Sequence, residues 1–274
     1  MAVDLAVPSF DPECHLGSGC GFPAPGADIF FFDPVWTFTI LGIEFNITKQ
    51  IILLVLVGAA VVGFFWYAFR RPALVPRGAQ NVGEMGYLFI RDGIARDTIG
   101  KAGDRFVPLL FTAFFLVWPL NFLGILPFAQ IPVTATFAIP VAFALVIYFT
   151  WVPLGIKRQG VGGFFKAMTM PPDVPKAMYV LLIPIEFVSN FLVRPFTHCV
   201  RLFANMFAGH LLIATFSVGA FYLLSASVLG IIGSTASFVV AVGMTAFEVL
   251  IQFLQAYVFT MLAAVYLNDA VHGH

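Results

Sequence analysis

FLVRPFTHCVRLFANMFAGHLLIATFSVGAFYLL, residues 191–224, is apolar enough to lie in a bilayer, yet it carries Arg201. A guanidinium does not shed its charge. Holding one near mid-membrane costs from ~3 to ~17 kcal/mol, depending on how the cost is measured. A chain that keeps such a charge needs a partner or a task for it. The question becomes which charge crosses a membrane here.

Composition points the same way. Of 274 residues, 60% are hydrophobic and 10% charged, against about 25% charged in soluble domains. Several apolar runs exceed the ~20 residues that span ~30 Å of hydrocarbon. The reading is an all-α polytopic membrane protein. The charges are unevenly placed. Residues 1–48 hold six acids and no Lys or Arg, whereas 11 of the 14 basic residues fall in 70–105 and 157–176. The positive-inside rule puts both basic loops in the cytoplasm and the N-terminus outside. No basic stretch with an early apolar core reads as a cleavable signal.

Residues 1–46, rich in Pro and Gly, read as an irregular external segment, and 47–274 as the membrane domain. Spans are expected at about 47–69, 105–125, 134–155, 177–224 and 234–268. Between the first two, 79–100 mixes apolar and charged positions and predicts an amphipathic helix on the cytoplasmic surface. A short external turn is expected around Pro127–Pro132, and a second cytoplasmic loop from Lys157 through Gly160–Gly163. Five crossings leave the C-terminus inside.

The last two segments are too long to cross upright. Helices of ~45 and ~34 residues measure ~68 and ~51 Å, against ~30 Å of hydrocarbon. Each either breaks or tilts. Segment 234–268 contains no Pro and one Gly, which favours an unbroken helix tilted on the order of 50°, beyond the usual ~20°. A hairpin laid along another object would require that tilt.

The polar residues of this hairpin are patterned. Arg194, His198, Arg201 and Asn205 form one helical stripe, and Thr245, Glu248, Gln252 and Gln255 form another. Such stripes must face each other, water or another protein. Helix–helix hydrogen bonding is the plain explanation for Gln252 alone. Two stripes that include Arg201, Glu248 and His210 favour a conducting path. His210 and Glu248 can share an external polar pocket, as a His–Glu proton relay. Glu186 and Arg194 can line an internal one, with Arg201 between the two.

The stretch RLFANMFAGH at 201–210, followed by LQAYVFTMLAAVYL at 254–267, resembles subunit a of F-type ATP synthases. NFLGILPF at 121–128, PIEF at 184–187 and RPF at 194–196 fit the same resemblance, which covers 47–270 and leaves out 1–46. The resemblance implies a stator half of a proton channel, set against a rotating ring of c subunits that each carry a membrane carboxylate. It implies two offset half-channels, peripheral-stalk b-type partners and an energy-transducing membrane such as the bacterial plasma membrane. It places ATP chemistry in other subunits and calls for no cofactor. It matches Arg201 to the family's essential arginine, Gln255 to its last-helix glutamine, and His210 with Glu248 to the outer-channel pair, with the acid and imidazole exchanged relative to some members. Thr197 and Arg194 match polar inner-path positions, and Glu186 matches with variable spacing. Asn205 belongs to the Arg motif.

Arg194 reads equally as a snorkelling residue beside Pro195. His198 reads as packing. Cys14 and Cys20 leave open a disulfide or two free thiols. Topology separates Cys14–His15 from His272 and His274, against a metal site. No nucleotide-binding loop, Ser/His/Asp arrangement, zinc spacing or nucleic-acid motif is present. The competing reading is a self-contained ion channel or secondary transporter, which predicts inverted repeats; no clear repeat relates the halves. A purely structural membrane scaffold is the third.

Overall fold

The computed structural model describes residues 22, 24–30, 34–40, 43–126, 133–170, 175, 178–224 and 227–272. The Cys14–Cys20 question, His15, His274 and the turn at 127–132 lie outside these residues.

The chain before the first span is not wholly irregular. After a short 3₁₀ turn at Ala27–Phe30, strands β1 (Trp36–Ile40) and β2 (Ile43–Ile47) pair antiparallel with Trp36 opposite Ile47. WTFTI and IEFNI are rich in aromatic and β-branched residues. That local preference outweighs the Pro and Gly content that suggested an irregular segment.

Nine helices follow in the described residues. α1 is Lys49–Phe69 and ends at Arg70, Arg71 and Pro72, where proline stops it. α2 is Ala79–Ile90, continued by a wide π-type turn at Arg91–Arg96 and by α3 at Asp97–Ile99. A 3₁₀ segment, Gly100–Arg105, leads to α4 at Val107–Phe122. α5 is Ala138–Gln159 and α6 is Val161–Thr169. α7 (Tyr179–Val188) passes through a second wide turn, Ser189–Val193, into α8 (Arg194–Leu223). α9 runs unbroken from Val228 to His272.

Four helical stretches are long and apolar enough to cross a membrane: Lys49–Phe69, Ala138–Gln159, Tyr179–Leu223 and Val228–His272. α4 is a shorter apolar helix. Both final stretches have 45 residues, or ~68 Å each. Neither breaks into two spans. The last is longer than 234–268 at both ends, because neither Gly230 nor Gly233 interrupts it.

The wide turn at 189–193 explains how the penultimate rod tolerates Pro195. The Arg194 N–H bonds to Ser189 O, five residues back. Proline brings no N–H of its own, and a π turn absorbs the local misfit without a break.

The helix expected over 79–100 forms, in pieces, and Gly100 (φ +76) ends it. Ile90, Ile94 and Ile99 are buried in the main core with Leu110, Phe114, Phe259 and Ala263. Its apolar stripe therefore packs on α4 and α9, while Val82, Met85 and Leu88 stay exposed. At its polar end Arg96 grips Asp104 at 2.8 Å and Asp92 at 3.3 Å. The Arg96 hydrogen bond holds the Asp104 carboxyl below the usual carboxylate range.

The expected loop after α5 contains α6. Its glycines masked an amphipathic turn whose Phe164 is buried with Trp151, Met168 and Ala270. A Cβ on Gly155 would collide with the Phe164 ring. Gly155→Ala is therefore expected to lower stability by about 1–3 kcal/mol through overpacking. Thermal unfolding in detergent checks this, with Gly63→Ala, which meets open space, as the comparison.

Candidate functional site

The polar stripes of α8 and α9 face each other. Asn205 Nδ2 donates to Gln255 Oε1 at 2.6 Å. Five residues further along α8, His210 Nδ1 lies 2.7 Å from Glu248 Oε1. Nearer the start of α8, Arg194 pairs with Asp269 at 2.8 Å and lies over the Tyr266 ring. The antiparallel hairpin thus carries three polar rungs.

The His210 rung has a defined proton count. Nε2 sits 2.8 Å from the carbonyl oxygen of Gly124. A carbonyl only accepts, so Nε2 carries a hydrogen. Nδ1 and Glu248 then meet across a single proton. Either a carboxylic acid donates to a neutral imidazole, or an imidazolium donates to a carboxylate. Two glycines make room for the pair. A Cβ on Gly124 would collide with the His210 ring, and one on Gly209 would sit 3.1 Å from the Glu248 carboxyl.

Glu248, Gln252 and Gln255 are all buried, at 3%, 0% and 3% exposure. Glu248 Oε2, both amide atoms of Gln252 and Gln255 Nε2 find no hydrogen-bond partner among the described residues. Buried polar atoms are nearly always satisfied. Four of the nine unpartnered buried polar atoms among the described residues fall in this one stretch of α9, 248–255. Gln252 makes no helix–helix hydrogen bond among the described residues. Thr245 is satisfied within its own helix by Ala241 O.

Arg201 stands apart. It is exposed on the surface of the chain. Five salt bridges form among the described residues, and none includes it. Its stripe-mate His198 turns inward instead. That ring is 2% exposed and stacks on Phe259 with centroids 4.0 Å apart. Thr197 is exposed, and its hydroxyl donates to Val193 O and Arg194 O. Glu186 accepts from Asn190 at 3.1 Å, and Asn190 also donates to Met168 O. The nine candidates thus divide. Asn205, His210, Glu248, Gln252 and Gln255 share the α8–α9 seam; Arg201 faces away from the chain; Arg194, Thr197 and Glu186 lie toward the start of α8.

Residues 51–268 match the family described as ATP synthase A chain. The chain belongs to the ATP synthase A chain family. Proteins named ATP synthase subunit a align with it along most of both lengths. One from Streptomyces lividans is 47% identical, covering 97% of this chain and 94% of its own. One from Frankia alni is 43% identical, covering 92% and 88%. One from Rhodococcus erythropolis is 39% identical, covering 92% and 91%. With its four long apolar stretches, this family member is a multi-pass membrane protein.

Two buried polar residues, Asp269 and Asn121, lie outside the nine candidates. Asp269 lies 14 residues, about four turns, beyond Gln255, on the same face of α9. That continuation of the stripe is its sequence signal, and a span expected to close near 268 leaves it out. Asn121 is buried in α4, accepts from Thr134 at 2.7 Å and leaves its Nδ2 unpartnered. A lone amide inside an apolar span was its signal.

Gly124→Ala is expected to displace the His210 ring from the Gly124 carbonyl. Solid-state ¹⁵N spectra of histidine-labelled protein should then show the His210 resonances move while those of His198 stay. Unchanged His210 shifts would mean that the ring is not seated on that carbonyl.

Proposed function

We propose that this chain is the proton-translocating stator subunit of a rotary ATP synthase. In this reading it supplies two offset half-channels that load and unload carboxylates on a rotating c-ring. Peripheral-stalk b-type subunits and the remaining F-type subunits complete the assembly, and ATP chemistry takes place in those other subunits. The family membership supports the assembly. The observation that carries the mechanism is Arg201, a permanent cation on a membrane-length hairpin with no ion-pair partner among the described residues.

The steps follow from charge and geometry. The proton shared by His210 and Glu248 lies between Nδ1 and Oε1, 2.7 Å apart. Both ring nitrogens of His210 are engaged, so Glu248 Oε2, unpartnered among the described residues, is the atom that takes a proton from the outer side and gives it inward. Gln252 and Gln255 continue the polar strip for seven residues, ~10 Å of helix rise. It ends at the Asn205–Gln255 rung, one helical turn from Arg201. There a ring carboxylate takes the proton. Arg201 attracts each deprotonated carboxylate and repels a hydrated proton. At ~4 Å and an effective dielectric near 20, that repulsion is about 4 kcal/mol, roughly a thousandfold in leak rate. Thr197, Arg194 and Glu186 line the release side.

The charge distribution supports an external N-terminus and a cytoplasmic C-terminus in a bacterial-type plasma membrane. A ring beside the hairpin would account for two 45-residue helical stretches that exceed the bilayer thickness, because tilted helices can follow a curved partner.

ATP-driven acidification of inverted vesicles tests the assignment. Arg201→Ala in a fully assembled complex is expected to abolish coupled pumping, while ATP hydrolysis by detached catalytic subunits continues. Wild-type pumping in the assembled variant would sink the gate and leave Arg201 an anchor.

A further inference from the structure

A second basic feature has no part in the seam. α1 ends in a cleft of about 560 Å³ lined by Tyr67, Arg70, Arg71, Arg77, Gly78 and Gln80, among others. It shares no lining residue with the α8–α9 stripes.

The cleft is built rather than incidental. Gln80, buried at the start of α2, clasps the loop between the helices. Its Oε1 accepts from the Ala73 N–H at 3.1 Å, and its Nε2 donates to Ala73 O at 3.0 Å. The same Nε2 donates to Glu84 at 2.7 Å. Gly78, at φ +59, turns the loop into α2. Arg70, Arg71 and Arg77 all line the one opening beside this clasped loop. None of Arg70, Arg71 and Arg77 takes part in a salt bridge among the described residues. Arg70 lies over the Trp66 ring at 5.5 Å, which holds one guanidinium at the rim.

Three unpaired guanidinium groups around a cleft favour an anion, and the planar fork of arginine suits phosphate oxygens. The apolar surroundings narrow the class. Trp66 and Tyr67 are 66% and 67% exposed, Val62 is exposed further along α1, and Leu74 and Val75 project from the loop. Indole and phenol rings at a helix end are the side chains that settle at headgroup depth. Free phosphate would have no use for the apolar border, whereas a phospholipid uses both. Positive charge after a span would serve orientation alone, but orientation requires neither a clasped loop nor a shared opening.

We propose that this cleft binds the phosphate of an anionic phospholipid, with its acyl chains along the exposed side of α1. The site is independent of the translocation reading, since it requires only that α1 cross the membrane. Basic pockets beside transmembrane helices on the positively charged side take such headgroups by the same physics.

The test uses photoreactive phosphatidylglycerol as a minor component of phosphatidylcholine nanodiscs that hold the full chain, alone and within its assembled complex. Peptide mapping after irradiation should place labelling on 62–80. The Arg71→Gln/Arg77→Gln double variant is expected to lose about fivefold in labelling per arginine removed. Arg158→Gln, at another basic helix end, should leave it unchanged. Arg70 is spared so that its stacking on Trp66 persists. Equal loss in the Arg158 variant, or labelling spread evenly over α1, would reduce the effect to general surface charge and overturn the site. Competition by inorganic phosphate would assign the cleft to a free anion instead. Labelling of the isolated chain that vanishes in the complex would make the cleft a subunit contact, and the lipid assignment would fail.

Discussion

Hydrocarbon offers no hydrogen bonds, so every polar side chain on α8 and α9 that its own helix does not satisfy must be met by the opposite helix, by water or by another protein. That constraint sets the register of the hairpin. The rungs Arg194–Asp269, Asn205–Gln255 and His210–Glu248 descend α9 as they climb α8, as antiparallel partners must. Their α8 members span 16 residues, ~24 Å of rise, most of the hydrocarbon thickness. Beyond them Ser237 Oγ donates to Phe216 O and Ser234 Oγ to Ala220 O, which staples the closed end of the hairpin. Sliding one helix by a turn would break every rung at once.

Close approach makes the rungs possible. Gly209 leaves room for the Glu248 carboxyl, and Gly124 admits the His210 ring from a third helix. On the other face of the seam, Ala256, Ala263 and Ala264 are buried against the core that includes Leu110, Phe114 and the Ile90–Ile94–Ile99 stripe. Small side chains let helices approach where apolar burial gives little drive within lipid. The pieces at 79–105 thereby support α9 directly, tying the loop after α1 to the helix that carries Glu248 and Gln255.

Much of this is legible in the sequence. Period-3.6 spacing placed two polar stripes, and the absence of proline in 234–268 foretold an unbroken last helix. What remained hidden has specific causes. Hairpin β1–β2 forms by local strand preference that composition counts average away. α6 hides behind Gly160, Gly162 and Gly163, and its helix is fixed by where Phe164 lands in the fold. Periodicity put His198 on the Arg201 stripe but could not show that its ring turns onto Phe259. The wide turn at 189–193 adds a residue to one turn and so re-aims every side chain across it, which defeats face assignments from Glu186 onward to Arg194.

Arg194 and Arg201 show what geometry adds to a sequence. They are the same residue on the same helix, seven positions and about two turns apart. Arg194 meets the carboxylate of Asp269, itself 8% exposed, and the face of Tyr266. Removing either charge would strand the other, at less than the ~3–5 kcal/mol of a fully buried pair because the Arg194 side chain is 33% exposed, and the pair ties the ends of α8 and α9 together. At the level of Arg201 the facing turn of α9 presents Phe259 and Ala256, both buried, and Thr260, whose hydroxyl is spent on its own helix at Ala256 O. No side chain there can neutralise a guanidinium. The cation turns outward, and among the described residues nothing balances it. A carboxylate fixed permanently beside it would form a second Arg194-type anchor. One that arrives, is held while ionised and leaves when protonated would make the same guanidinium part of a motor, which is why the unpaired arginine, and not the paired one, carries the functional reading.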